Sequence, residues 1–443
     1  MSEQIEHLRE ALDSGRRGPV QRILGSLHPG EIGLLIESLP PGEREIIWNL
    51  VPDDDRGEVL LHLNEELRAW LIKAMDVDAV VSAAEGLEID DLADFIDDLP
   101  ETLTQQVLES MDQAQRARVE QVMSYPYDTA GGLMNTDPVS VRPNVSLETV
   151  MRYLRMLGEL PDHTDMLFVV DRYGHFLGVV PTSKVLTCST EVTVSEIMDR
   201  DFKAIPVELT AREVAKRFED RDLISAPVVD ERNILLGRVT IDDVVDVIRD
   251  EAEHNLLAPA GLDEEDDIFA PVRRSARRRA VWLGINLVTA FMAAAVVGLF
   301  EATLDEVVAL AVLMPIVASM GGIGGSQTLT LMIRGLALGQ ISTANAVALL
   351  KKEVMVALIN GVLWAIVVSG IVLAWFQSPM LALVIGIALV LNQMVASLAG
   401  VGLPLLLKQL NIDPALAGSV VLTTITDVVG FFAFLGLGAA LLL

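Results

Sequence analysis

Hydrophobic and polar positions change their pattern near residue 280. Beyond it, apolar runs at about 281–300, 307–333, 354–376, 380–407 and 414–441 each meet the roughly 20 residues that a helix needs to cross a bilayer, which predicts five spans. Before it, two other patterns alternate. From 27 to 123 the apolar positions recur at helical spacing in short bursts that stop at Leu39-Pro40, Leu63-Asn64 and Leu99-Pro100. Segments 31–40 and 91–100 read as copies of one unit, so a small superhelical stack of helices is expected. From 137 to 249 a second repeat runs: the stretch 168–182 recurs at 227–243, and each copy predicts strand, turn, strand and helix. An amphipathic helix precedes each copy, at 147–157 and 211–220. An acid-rich helical stretch, 241–253, and a linker, 256–267, lead to the first span.

These patterns define a multi-domain membrane protein. Residues 1–130 form an acidic α-helical superhelical domain and 131–250 a tandem α/β domain. Residues 251–280 form a connecting helix and linker, and 281–443 a transmembrane domain of five helices.

Charge sharpens this division. The formal net charge is -29, yet beyond residue 280 only Arg334, Lys351, Lys352 and Lys408 stand against Glu301, Asp305, Glu306, Glu353, Asp413 and Asp427. Nearly all of the negative charge therefore belongs to the first 280 residues. Such a surface argues against nucleic acid and towards cations. The single cysteine, Cys188, excludes an internal disulfide and suits a reducing cytosol. The start, Met1 to His7, has no basic segment followed by an apolar one, so no signal peptide is expected. Arg273, Arg274, Arg277, Arg278 and Arg279 precede the first span and acids follow it, which predicts a cytoplasmic N-terminal half. With five spans the C-terminus lies outside. The expected location is the cytoplasmic (inner) membrane, crossed several times.

Candidate chemistry lies inside the apolar half. Asp427 sits near the middle of the fifth run, where a carboxylate costs roughly 3 kcal/mol or more. Helical spacing places Ser419, Thr423, Asp427 and Gly430 on one face, a polar stripe suited to a pore. The competing reading is an acid that is protonated or bonded to a neighbouring helix. In the second run, Pro315, the cluster Gly321, Gly322, Gly324 and Gly325, and then Ser326 and Gln327 predict a broken, pore-lining helix. Close packing through small residues competes with that reading. One acid per chain is a poor site for a dehydrated divalent ion, whereas Mg²⁺ keeps several waters and touches one or two carboxylates. A homodimer with two Asp427 side chains around one hydrated ion, and hydroxyls of Thr423 and Thr424 on its waters, meets that need.

In the cytoplasmic half, Asp90, Asp94 and Asp97 fall on one helical face. A solvated surface and a bound cation are both open readings, because like charges at this spacing repel. No catalytic site is expected. The six His and one Cys are scattered, and His163-Thr-Asp165 is too short and isolated for a metal centre.

The tandem α/β region resembles a pair of CBS modules. The whole order of parts resembles the MgtE magnesium channel family: the acidic helical domain ending in Tyr125-Pro-Tyr-Asp-Thr-Ala-Gly-Gly-Leu-Met134, the CBS pair, the connecting helix and the five spans. Met314-Pro, Met320-Gly-Gly, Gln327, Asp413-Pro-Ala and Thr423-Thr with Asp427 fit its membrane pattern. The resemblance implies a homodimeric Mg²⁺-selective channel for uptake, with Asp427 as the ion-selecting carboxylate. It implies closure by cytosolic Mg²⁺ at Asp90, Asp91, Asp94, Asp243, Asp246 and Glu251, with Co²⁺, Ni²⁺ or Mn²⁺ as further candidate ions. It carries an adenine-nucleotide acid, for ATP or a relative, onto Asp243; Lys184 stands at the matching place in the first module.

Three positions depart from the family pattern: Ile323 where Asn is usual, His254-Asn255 where an acidic pair is usual, and Gly418-Ser419 where Gly-Pro is common. The alternatives are a divalent-cation exchanger or exporter driven by protons or Na⁺ through Asp427, and a membrane-anchored nucleotide sensor without transport.

Overall fold

The structure, a computed structural model, describes residues 17–262, 267–341, 345–410 and 412–443. The amino-terminal residues and the linker acids at 263–266 lie outside the described residues. The chain divides into two compact units. One holds Met1–Glu253 with Glu264–Ala270, and the other His254–Asp263 with Pro271–Leu443.

The first unit begins, among the described residues, with nine short α-helices: α1 (Arg17–Leu24), α2 (Pro29–Glu37), α3 (Pro41–Trp48), α4 (Arg56–Leu61), α5 (Glu65–Ala74), α6 (Val77–Ala84), α7 (Ile89–Asp97), α8 (Glu101–Ser110) and α9 (Gln113–Val122). Local chemistry keeps them short. The side chains of Asn64, Asp76 and Asp112 accept hydrogen bonds from Leu67, Ala79 and Gln115 N–H groups, starting α5, α6 and α9. Pro41 starts α3 where a missing N–H costs nothing. Ile32, Leu35, Ile36, Ile47, Val59, Leu60, Leu71, Ile72, Leu92 and Phe95 are all essentially inaccessible and share one core. Each such side chain contributes about 1.5–3 kcal/mol as an upper bound.

That core does not stop at the helical array. It continues into Val214, Phe218, Ala226, Val228, Val239 and Val244 of the second α/β module, so the array and that module fold around common apolar side chains.

The two α/β modules repeat one topology. In the first, β1 (Ser140–Val141) runs parallel to β2 (Met166–Val170), which pairs antiparallel with β3 (Phe176–Pro181). In the second, β4 (Ile205–Pro206), β5 (Ser225–Val229) and β6 (Leu235–Thr240) repeat that order. Val169 faces Gly178 in one and Val228 faces Gly237 in the other, each beside a bulge. Gly237 is required here: a Cβ would lie 2.5 Å from the Asn135 carbonyl oxygen, whose chain bridges to Arg238. Helices α10 (Leu147–Leu157) and α13 (Ala211–Arg221) stand where the amphipathic pattern predicts them, and α11 (Thr182–Thr187) and α12 (Val194–Ile197) complete the first module. Helix α14 (Ile241–Leu257) follows β6 and carries the chain out of the first unit.

In the second unit the five predicted spans are five long helices, α15 (Val272–Gly298), α17 (Ala309–Ala337), α18 (Ala346–Phe376), α19 (Pro379–Gln409) and α20 (Pro414–Leu442), with the short α16 (Glu301–Glu306) after the first. Helix α15 starts within the arginine cluster, ahead of the apolar run. Arginine is a good helix former, and Pro271 suits the position before the first turn. Over its most apolar stretch α19 is 56% buried and α15 only 6%, so α19 is the inner post of the bundle and α15 lies at its edge.

The expected break in the second span is absent. Helix α17 is continuous through Pro315 and the glycine cluster. Pro315 stands in its second turn and frees a single carbonyl there, a loss that a long helix tolerates. The glycines accept side chains from the neighbouring helices instead of unwinding.

Candidate ion pathway and cytosolic acid cluster

The cluster divides between packing and lining. A Cβ at Gly321 would meet the Asn392 amide at 2.1 Å, one at Gly324 the Gln393 amide at 2.2 Å, and one at Gly325 the Leu422 methyls at 3.0 Å. These three glycines let α17 approach α19 and α20 closely. Gly322 turns the other way, with nothing within 4 Å.

On that open side lies a cavity of about 930 Å³. Gly322, Ile323, Ser326, Gln327 and Thr330 of α17 line it, and Thr423 and Asp427 of α20 face them. The structure thus brings together Gly322, Ser326, Gln327, Thr423 and Asp427 from the sequence-predicted set. Pro315 and Gly321 are not among the lining residues. Thr424 donates to the Val420 carbonyl at 2.7 Å and also stays out of the lining, as does Gly430, packed against Asn392. Ser419 lies one turn from Thr423 and donates to the Pro259 carbonyl at 3.2 Å. The apolar Ile323, 57% exposed, occupies part of the cavity wall.

Ser326, Gln327 and Thr423 are exposed in the middle of apolar helices. Hydrocarbon cannot satisfy such groups, so this face calls for water, an ion or another polar protein surface. The Thr423 hydroxyl donates to the Ser419 carbonyl at 2.9 Å, leaving its oxygen lone pairs towards the cavity for a hydrated cation. Among the described residues no group of three His, Cys, Asp or Glu could hold a bare metal ion.

The end of α14 packs within this same unit. His254 Nε2 lies 2.8 Å from Asp413 Oδ2, while Asp413 Oδ1 accepts from Ala415 N and caps α20. A Cβ on Gly261 would meet the Trp282 ring of α15 at 2.3 Å. Residues 254–261 therefore rest directly on α15 and α20.

The first unit holds the second candidate site, where α7 meets the second α/β module. Asp90 is buried, and its carboxyl is held far above the usual carboxylate range first by burial and then by the charges of Asp243 and Asp91. Asp243 is raised strongly by burial and by Asp242, although Thr240 donates to it at 3.0 Å. Asp91 is pushed up to about 7 by burial, then by Glu88, Asp94, Asp242 and Asp246. The cluster therefore gathers Asp90, Asp91 and Asp243, with Asp246 nearby, from the predicted set.

Two members lie at its edge. Asp94, whose charge also raises Asp91, is itself raised to about 6 by burial, with Arg68 opposing and Asp98 and Asp97 adding. Glu251 pairs with Arg212 at 2.9 Å. Sequence reasoning missed Glu88, which bonds Asn135 and is raised by burial and Asp137, and it missed Asp242. Their signal was available, since Glu88 opens the helix that carries Asp90 and Asp242 adjoins Asp243. It also missed Asn392 and Gln393, two amides within an otherwise apolar run.

Family models match three parts of the chain: the MgtE intracellular N domain over residues 27–128, CBS domains over 130–190 and 194–250, and the MgtE divalent cation transporter domain over 314–437. The chain is 32% identical over 440 residues to a magnesium transporter MgtE of Thermus thermophilus, covering 98% of both chains. It is 26% identical over 431 residues to a magnesium transporter MgtE of Bacillus subtilis, covering 97% of this chain and 95% of that one. A solved cytosolic domain of the Mg²⁺ channel MgtE in complex with ATP superposes with a TM-score of 0.51 at 32% identity, covering 55% of this chain and 99% of that chain. An apolar five-helix unit behind a helical array and a CBS pair, matched over nearly its whole length, places this chain in the MgtE family of magnesium transporters, which is not a class of enzymes.

Proposed function

We propose that this chain is a Mg²⁺-selective channel for uptake across the cytoplasmic membrane, assembled as a homodimer and closed by cytosolic Mg²⁺. One observation carries the proposal: Asp427 and Thr423 face Ser326 and Gln327 across a cavity that opens at the side of a single protomer. A second copy set against this face would cover the exposed polar groups and pair the two Asp427 carboxylates around one hydrated ion. No other titratable residue lines the cavity among the described residues, which favours a channel over a proton-coupled exchanger. Co²⁺, Ni²⁺ and Mn²⁺ share the ligand preference and are candidate substrates.

Closure draws on the acid cluster. Hydrated Mg²⁺, reaching Asp90, Asp91 and Asp243 through its waters with Asp246 nearby, relieves the repulsion that burial makes costly, and so favours the docked helical array. Asp94 borders this cluster through Asp91, Glu251 pairs with Arg212, and both complete the proposed regulatory set. ATP in the solved cytosolic domain of a relative supports an adenine nucleotide at the CBS pair here. The arginine cluster supports a cytoplasmic N-terminal half, and five spans then put the C-terminus outside.

Mg²⁺ uptake into proteoliposomes without a proton or Na⁺ gradient, for the wild type and Asp427→Asn, tests this. Wild-type uptake that the variant loses supports the channel. Uptake that begins only when a counter-ion gradient is imposed replaces it with the exchanger.

A further inference from the structure

We infer that Asn392, with Gln393 beside it, is a positioning residue that sets the separation of the two helices lining the cavity. The inference rests on the reading of the Asp427 cavity as the ion pathway.

Asn392 and Gln393 lie midway along α19 and are only 1% and 7% exposed. Neither reaches the cavity. Asn392 Nδ2 donates to the Val317 carbonyl at 2.9 Å, and Gln393 Nε2 donates to the Met320 carbonyl at 2.9 Å. In a regular helix these carbonyls already serve the N–H groups of Gly321 and Gly324, four residues on. Those are the two glycines whose missing side chains make room for the amides. Two adjacent amides thus grip two carbonyls three residues apart on α17, each through a glycine slot.

The same Asn392 amide also fills a slot on α20, since a Cβ at Gly430 would lie 2.7 Å from Nδ2. Gly430 stands three residues after Asp427, so Asn392 touches the backs of both lining helices at the level of the acid. Its Oδ1 is buried and accepts no hydrogen bond, which costs about 1–3 kcal/mol. An apolar residue would avoid that cost, so stability alone does not account for an amide here. What the amide supplies is a fixed distance: one side chain wedged between two glycine faces and bonded to one of them. Because α17 and α20 carry the lining residues on their other sides, their separation bears on which hydrated ion passes.

The test uses the full chain with Asn392→Ala, Gly321→Ala and the double variant, each in a background of Cys188→Ser with Ser326→Cys and Thr423→Cys. Disulfide formation within one chain or between two, separated by size on a gel, reports the spacing of the lining helices without any transport. The same three substitutions without the cysteine pair are assayed for Mg²⁺ against Co²⁺ uptake. Each single variant is expected to change the crosslinking rate and the Mg²⁺ to Co²⁺ ratio about five- to tenfold, the scale of one buried hydrogen bond. The double variant is expected to return towards the wild type, because the new methyl at 321 refills the space the amide leaves. Unchanged crosslinking and an unchanged ratio in folded Gly321→Ala and double variants would overturn the inference. Absence of Mg²⁺ uptake in the wild type would count against the channel reading, while crosslinking would still decide the spacing.

Discussion

Asp90 of α7, buried, and Asp243 of α14, half-buried, are two carboxylates whose charges act on each other where the helical array meets the second CBS module. After burial itself, Asp243 does most to hold Asp90 protonated. The arrangement stores repulsion that either protons or a divalent cation can relieve.

A pH dependence with a definite sign follows. Asp91 is raised from 3.8 to about 7, so between these values the folded state holds a proton that the unfolded state has released. Stability of the first unit, without Mg²⁺, should therefore fall as pH rises through this window. Millimolar Mg²⁺, which binds the deprotonated acids, should remove most of the fall and release protons. Thermal unfolding of the solubilised chain at about pH 5.5 and 7.5, with chelator or Mg²⁺, checks this; the expected Mg²⁺-free drop is about 5 °C, on a scale of 2–4 °C per kcal/mol. A drop of equal size in both conditions would separate the acids from Mg²⁺.

Arg44 and Asp267 form a bidentate pair, at 2.6 and 2.7 Å, with both side chains buried. Arg44 also donates to the Ile36 and Glu37 carbonyls and lies 5.5 Å from the centre of the Phe269 ring. The pair ties α3 to the chain just ahead of α15. Arg44→Leu leaves a buried carboxylate unpaired and should destabilise the first unit by about 3–5 kcal/mol. Arg44→Leu with Asp267→Leu should recover most of that loss. Chemical denaturation of the three chains measures it.

Ile323 presents an apolar side chain to the cavity between Gly322 and Ser326. Ile323→Asn adds a donor and an acceptor for the waters of a hydrated ion. Mg²⁺ uptake at low external concentration should rise about two- to fivefold, the scale of one hydrogen bond. Uptake that is unchanged or lower would show that this wall does not contact the ion.

His254 pairs directly with Asp413 in this chain. His254→Glu replaces that contact with two like charges, so the packing of 254–261 on α20 should come to require a divalent cation. Proteolysis near this segment is expected to slow at least severalfold on adding Mg²⁺ in the variant and much less in the wild type. Equal protection in both would mean that other contacts, such as Ser419 with Pro259, hold the segment by themselves.

Much of this protein was legible before any coordinates. The five spans follow from apolar runs longer than any soluble helix needs, and the twin α/β modules from a repeated strand pattern ending in Val-Val-Asp. The short array helices follow from Pro, Asn and Asp at their starts. Asp427 stood out because a lone carboxylate in hydrocarbon demands a reason. What misled was Pro315 with four glycines, which in isolation predicts a break.

The sequence by itself determined which segments cross the membrane, which module repeats and which single acid lies deepest in the apolar half. Period, length and charge are properties of neighbouring residues, and they act before the chain closes on itself. Only the tertiary structure decided that three of the glycines are slots for Asn392, Gln393 and Leu422 while Gly322 lines the cavity. Only it separated Glu251 from Asp90, Asp91 and Asp243, and joined α7 to α14 across about 150 residues of chain. Those assignments depend on which helix face meets which neighbour, and that is settled by packing between residues far apart in the chain.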